Sequence, residues 1–264
     1  MEKKNGKTDM HNQELIRLLK ELMKNCSESD REVLERLIEE HNGQKIPHAV
    51  KALPVRETPA ENGLAELLFV IDQSGSMGGE ETEKAVVANF NKVIAQQRAE
   101  EGDAVVSTVL FNSKVMTKHE SLPIAEVAEL TRRDYLPSGC TALLDAVGSS
   151  IERICKRHTA LPEAERPATT IVVIITDGEE NSSRKYSRAV VKRMIETLKE
   201  KHGWDFLYFG ANVDHFAEAH NLGIDVDDAV SFATNEAGLV YCMKECSRRM
   251  SQRRSSRRLN GFIS

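Results

Sequence analysis

No stretch of the 264-residue sequence approaches the roughly 20 consecutive apolar residues that a membrane-spanning helix needs; the longest candidate, Ile171 to Ile175, is strand-sized. The opening residues, MEKKNGKTDMHNQ, have no apolar core behind their basic residues and are not expected to act as a secretory signal. Cysteine is sparse: Cys26, Cys140, Cys155, Cys242 and Cys246 are odd in number and scattered, unlike a disulfide framework. A reducing cytoplasm is therefore the expected address. No GxxxxGK[ST] loop occurs, which excludes ATP hydrolysis of that type. Internal repeats are also lacking, and the only biased segment is an Arg/Ser-rich tail.

What is present is a globular composition, 40% hydrophobic and 29% charged. The net charge of -5 is uneven. Between Lys244 and Arg258 seven basic residues face one acidic residue, a local +6 that leaves about -11 on the rest. The body is thus not expected to bind nucleic acid. The tail, RRMSQRRSSRR, has no aromatic rings to stack on bases. A solvated, flexible end over 251–264 is expected, with nucleic acid or an acidic partner as its alternative contact.

The chain divides into three parts. Residues 1–62 form an arm: Leu15, Ile16, Leu19, Leu22 and Met23, then Val33, Leu34, Leu37 and Ile38, recur at helical spacing and predict a helical hairpin. Ser29, three residues before Glu32, reads as the cap of its second helix. Residues 42–62, with Pro47, Pro54 and Pro59, read as a linker. From 63 to 250 strand-like and helix-like segments alternate, with strands at Leu67–Ile71, Val105–Phe111, Lys114–Lys118, Thr170–Thr176, Asp205–Phe209 and Ala229–Phe232. Such alternation predicts an α/β, doubly wound, mostly parallel sheet with helices on both faces.

In that fold ligands bind beyond the carboxyl ends of the strands, near the point where strand order reverses. Two apolar strands here end in an Asp, at Asp72 and Asp177. Ser74 and Ser76 follow the first, spaced so that alternate residues of a tight loop can point the same way. Thr141 opens a helix in SGCTALLDAVG. Three hydroxyls and two carboxylates are all oxygen donors, a set suited to a hard cation such as Mg²⁺.

Asp72-x-Ser74-x-Ser76, Thr141 in TALLDA and Asp177 in TDG match all five positions of the metal-ion-dependent adhesion site, so residues 64 to 235 resemble the von Willebrand factor A (VWA) domains in their intracellular bacterial form. The resemblance implies a metal held directly by Ser74 and Ser76, and by Thr141 directly or through water. Asp72 and Asp177 would act mainly through bound waters and hydrogen bonds to the serines. It further implies Mg²⁺, or Mn²⁺, as the cofactor, and a partner protein that supplies an Asp or Glu to the metal. Related bacterial domains work alongside AAA+ ATPases, which suggests an adaptor rather than an enzyme, with no membrane partner.

The rival reading is a metal-dependent hydrolase or phosphatase using Asp72 or Ser76. A haloacid-dehalogenase-type phosphatase needs a second Asp two residues after the first, and Ser74 stands there. Ser76 in SGSMG is close to GxSxG, but Ser74 occupies the first Gly position. His215 and His220 lack the spacing that puts both on one helical face, and Cys242 and Cys246 read as core residues rather than zinc ligands. Asp145 is expected to support the site loops. Glu179, Glu180 and Asn181 are expected to line the rim of the site.

Overall fold

The computed structural model describes residues 17–27, 30–31, 34, 46–55, 63–211 and 215–262. Six strands form one sheet: β1 (Ala65–Asp72), β2 (Ala104–Phe111), β3 (Val115–Pro123), β4 (Thr169–Thr176), β5 (Asp205–Gly210) and β6 (Ala229–Ser231). Their order is β3-β2-β1-β4-β5-β6, with β3 antiparallel to β2 and every other pairing parallel. The helices are α1 (His48–Ala52), α2 (Glu80–Ala99), α3 (Leu143–Ala160), α4 (Arg188–His202), α5 (His215–Asn221) and α6 (Glu236–Phe262).

The middles of the central strands, Leu67–Ile71 and Ile171–Ile175, are continuous apolar runs because both of their faces are covered. All eight residues of β1 and all eight of β4 are buried. Side chains alternate across a strand, so Leu67, Phe69 and Ile71 join Val86 and Phe90 of α2 and Leu239 and Met243 of α6 in one core layer. Leu68 and Val70 join Val147 and Ile151 of α3 and Val191 and Ile195 of α4 in the other. Phe69 and Phe90 meet edge to face with centroids 5.3 Å apart. Cys242 and Cys246 are buried in the first layer, as core residues. All five cysteines are free. Among the described residues no helix is long and apolar enough to cross a membrane.

Glu66 is one of two acids in β1, at the opposite end from Asp72. It is fully buried, and its carboxylate is held by the Arg157 guanidinium, by His158 Nε2 at 3.4 Å and by the hydroxyls of Ser107 and Ser121 at 3.3 and 3.2 Å. The chain therefore brings its own cation, the Arg157 guanidinium, to this acid at the amino end of the strand.

Two segments differ from the sequence reading. Within 42–62, α1 buries Ala49 and Val50, followed by Leu53, against the α3 and α4 layer, so this part of the expected linker is core. Its apolar residues fill little more than one turn, too short a run for periodicity to reveal. At the other end, the expected flexible tail continues α6 to Phe262. Arg254 is 7% exposed and donates to the Gln97 carbonyl at 2.7 Å and the Gly102 carbonyl at 2.8 Å. Arg253 pairs with Asp205 at 3.1 Å and with Asp228. A guanidinium that satisfies buried carbonyls is indistinguishable, in sequence, from a solvated charge. In the arm, 17–22 is helical and Leu19 packs with Met23 and Leu34. Ser27 Oγ accepts the Asp30 N–H at 3.2 Å, while Ser29 and most of the second helix lie outside the described residues.

Candidate metal centre

Strand order reverses between β1 and β4, since β1 is followed outward by β2 and β3 and β4 by β5 and β6. The carboxyl ends of these two strands deliver Asp72 and, one residue past Thr176, Asp177. The chain leaves β1 through a single turn at Gly75–Met77, and this turn brings Ser74 Oγ within 3.0 Å of Ser76 Oγ. Ser76 Oγ donates to Asp177 Oδ1 at 2.7 Å, joining the two loops. Asp72 accepts the Ser74 N–H on Oδ1 at 2.7 Å and the Thr176 hydroxyl on Oδ2 at 2.5 Å. The Tyr135 hydroxyl fixes the same residue from behind, donating to the Asp72 carbonyl at 2.6 Å.

Thr141 closes the site. A Cβ added at Gly178 would stand 2.8 Å from Thr141 Oγ1 and 3.6 Å from both Asp72 Oδ2 and Ser76 Oγ. That space, beside the loop after β4, is thus bordered by oxygens from the end of β1 and its loop and by one from the loop before α3, and a glycine leaves it open. All five residues singled out in the sequence converge there or are hydrogen-bonded to those that do. Asp72, Ser74 and Thr141 are buried, Ser76 is exposed and Asp177 lies between, so the cluster has a covered floor and an open mouth.

The electrostatics mark the same place. Burial pushes the Asp72 carboxyl up to about 6, against the lowering effect of its hydrogen bonds to Thr176 and Ser74. Burial also raises Asp177. Tyr135 is raised as well, by burial first and then by the two acids, which keeps its phenol a donor. Among the described residues no Lys, Arg or His forms an ion pair with Asp72 or Asp177. Buried carboxylates surrounded by hydroxyl oxygens and lacking a protein cation fit a divalent metal of the hard type. No group of three or more His, Cys, Asp or Glu among the described residues could hold one, so His215 and His220 build no such centre.

A clasp behind the site holds its loops. Asp145, near the start of α3, accepts the N–H groups of Arg184, Lys185 and Tyr186 at 2.8 to 2.9 Å, as a support for the loop after β4. In return Glu180 accepts the Leu144 N–H at 2.9 Å, together with those of Ser182 and Ser183 at 2.9 and 2.7 Å. Asn181 grips Thr141 twice: its Oδ1 accepts the Thr141 N–H at 2.9 Å, and its N–H donates to the Thr141 carbonyl at 3.1 Å. Glu180 and Asn181 therefore position the site rather than merely rim it. No local spacing signals this, because their partners lie about 36 to 40 residues away.

Comparison with known proteins places this geometry. The family described as von Willebrand factor type A domain matches residues 66–241. Inter-alpha-trypsin inhibitor heavy chain H1 of Mesocricetus auratus is 29% identical over 162 residues, covering 59% of this chain and 17% of that protein. Heavy chain H3 of the same animal is 25% identical over 154 residues, covering 56% and 17%. The match thus spans about a sixth of the length of these relatives. Among solved structures, proximal thread matrix protein 1 from the mussel byssus superposes with a TM-score of 0.50 at 14% identity, covering 84% of this chain and 51% of that one. A D319A mutant of the PilB minor pilin from Streptococcus sanguinis gives 0.50 at 14% identity, covering 75% and 63%. These two superpositions show a shared fold.

Proposed function

The chain belongs to the von Willebrand factor type A family, and from that premise we propose that it is a divalent-metal-dependent protein-interaction module. Domains of this family are typically interaction modules rather than enzymes. The observation that carries the reading is the open point at Gly178, bordered by Thr141, Asp72 and Ser76. Ser74, Ser76 and Thr141 would hold Mg²⁺ or Mn²⁺ through their hydroxyls, with Asp72 and Asp177 behind them.

A metal held mainly by neutral hydroxyls stays electron-poor and supplies attraction for an anionic oxygen, such as the Asp or Glu carboxylate of a partner protein. The chain's own residues do the rest. Asp72 and Asp177 orient the serine hydroxyls, Tyr135 anchors the Asp72 backbone, and Asn181 sets Thr141. In this reading the protein is an adaptor in a bacterial cytoplasmic complex, with an AAA+ ATPase as a suitable partner class. Hydrolysis through Asp72 or Ser76 is disfavoured by the Ser76 hydroxyl, which donates to Asp177 and has no histidine base within hydrogen-bonding distance among the described residues.

Calorimetry on the full chain tests the proposal. One Mg²⁺ or Mn²⁺ per chain is expected, with an affinity on the order of 10⁻⁴ to 10⁻³ M. Ser74→Ala and Thr141→Ala should abolish binding and leave thermal unfolding cooperative. Gly178→Ala should weaken it by filling the open point. No heat at several millimolar, or heat unchanged in Ser74→Ala, overturns the reading.

A further inference from the structure

Beside the metal centre a groove of about 640 Å³ runs between the β2–β3 turn and the 133–139 loop. It shares Gln73 and Gly139 with the walls of the centre, since the Ser138 N–H donates to the Gln73 carbonyl at 2.9 Å and the Gly75 N–H to the Gly139 carbonyl at 3.0 Å. Gly139 has φ 73°, and a Cβ there would stand 2.8 Å from Ser113 Oγ, so the two walls meet closely at this end. The groove is basic on an acidic protein. Lys114 and Arg133 line it with no ion-pair partner among the described residues, while Lys118 is held by Asp134 at 2.5 Å. Its apolar lining is solvent-facing: Leu136 is 62% exposed and Met116 40%.

One buried group points to an occupant. Gln73 is 3% exposed, its Nε2 lies 3.8 Å from Met116 Sδ, and its Oε1 has no hydrogen-bond partner among the described residues. A buried amide oxygen without a donor is unfavourable, and such groups in native structures mark sites completed by something else. The thioether beside the Gln73 Nε2 is flexible enough to adapt to an incoming chain. The groove also lies along β3, the edge strand of the sheet, where an extended chain brings a free N–H at every second residue. Among the described residues no aromatic ring lines it, so the lining offers single-stranded nucleic acid no stacking platform.

We propose that this groove is a second subsite for the same partner protein: it takes an extended acidic segment in which an apolar side chain and a further Asp or Glu follow the carboxylate that reaches the metal centre. The apolar residue packs on Leu136 and Met116, a backbone N–H of the segment satisfies Gln73 Oε1, and the second acid lies between Lys114 and Arg133. The groove's charge makes its contribution salt-sensitive. This rests on the metal-dependent reading above only for the first anchor.

The test is a synthetic peptide library with one fixed Asp flanked by randomised positions, selected on the immobilised full chain in millimolar Mg²⁺. The expected result is enrichment of an apolar residue and a second acidic residue on one side of the fixed Asp. In K114E/R133E the second acidic preference should vanish and the affinity of the selected peptide fall roughly tenfold, while Mg²⁺ binding in calorimetry is unchanged. K114R/R133K should retain both. An unchanged preference in K114E/R133E, or no flanking preference at all, overturns the groove and leaves the metal reading standing. A preference that survives chelator and Asp72→Ala supports the groove and overturns the metal reading instead.

Discussion

The two ends of β1 each bury an acid, and the chain treats them in opposite ways. Glu66 at the amino end is met by Arg157, His158 and two serine hydroxyls. Asp72 at the carboxyl end is met by a threonine hydroxyl and a backbone amide, with a second acid close by. Removing a carboxylate from water is strongly unfavourable in both places. Where the protein supplies the compensating cation, the acid is a structural part; where it supplies only oxygen and amide groups, the acid is left suited to a proton or to a cation from outside. A buried charge is thus read through its partners, not through its burial.

Removing each acid in turn breaks the comparison most sharply. Glu66→Ala leaves Arg157 without its counter-ion and removes a polar neighbour of His158, and thermal or urea unfolding should show a loss of about 3 kcal/mol. That is the lower end for a broken buried pair, because Arg157 is partly exposed and can rehydrate. Calorimetric metal binding should be unaffected. Asp72→Asn should do the reverse, abolishing metal binding while stabilising the metal-free fold at pH 7 by about 1–2 kcal/mol, a fraction of the value its shift implies because Asn accepts fewer hydrogen bonds. A loss of stability in Asp72→Asn would end the contrast.

Acidity gives the same comparison without a mutation. The Asp72 carboxyl is raised in the folded chain to about 6 from 3.8. Its favourable contribution is therefore complete below the unfolded value and lost as pH rises through about 6. Metal-stripped protein should gain stability between pH 7 and pH 5, and metal affinity should fall over the same interval as protons compete. Melting curves in chelator across this range check it: wild type should gain more stability on acidification than Asp72→Asn does. Should metal-stripped wild type track Asp72→Asn throughout, the acid is not strained. A smaller effect is expected at the clasp: Glu180→Gln should cost about 1 kcal/mol in unfolding and roughly tenfold in metal affinity by loosening the loop around Thr141. Unchanged affinity there would confine Glu180 to the fold.

What the sequence disclosed follows from the range of the interactions involved. The core strands announce themselves by continuous apolar runs, and Asp72, Ser74 and Ser76 sit within five residues of one another. Thr141 and Asp177 are remote; the placement of strand ends in a doubly wound sheet brought Asp177 to that loop, and the match to a known motif gave Thr141 its role. Glu66 went unnoticed because one acid among Ala65, Leu67 and Leu68 has no periodic signature, and its partners lie from 41 to 92 residues away. The end of α6 was missed for a similar reason: Arg254 finds its acceptors more than 150 residues back.

The loop from Tyr135 to Thr141 holds Asp72 with its first residue, Gln73 and Gly75 through Ser138 and Gly139, and the centre itself with its last. Anything that stiffens it from the groove side lowers the entropy that remains to be lost on the other side, and thermodynamic linkage makes the benefit mutual. Ion and peptide would then bind with positive cooperativity even if no atom moves, and each affinity measured alone would understate the affinity of the pair.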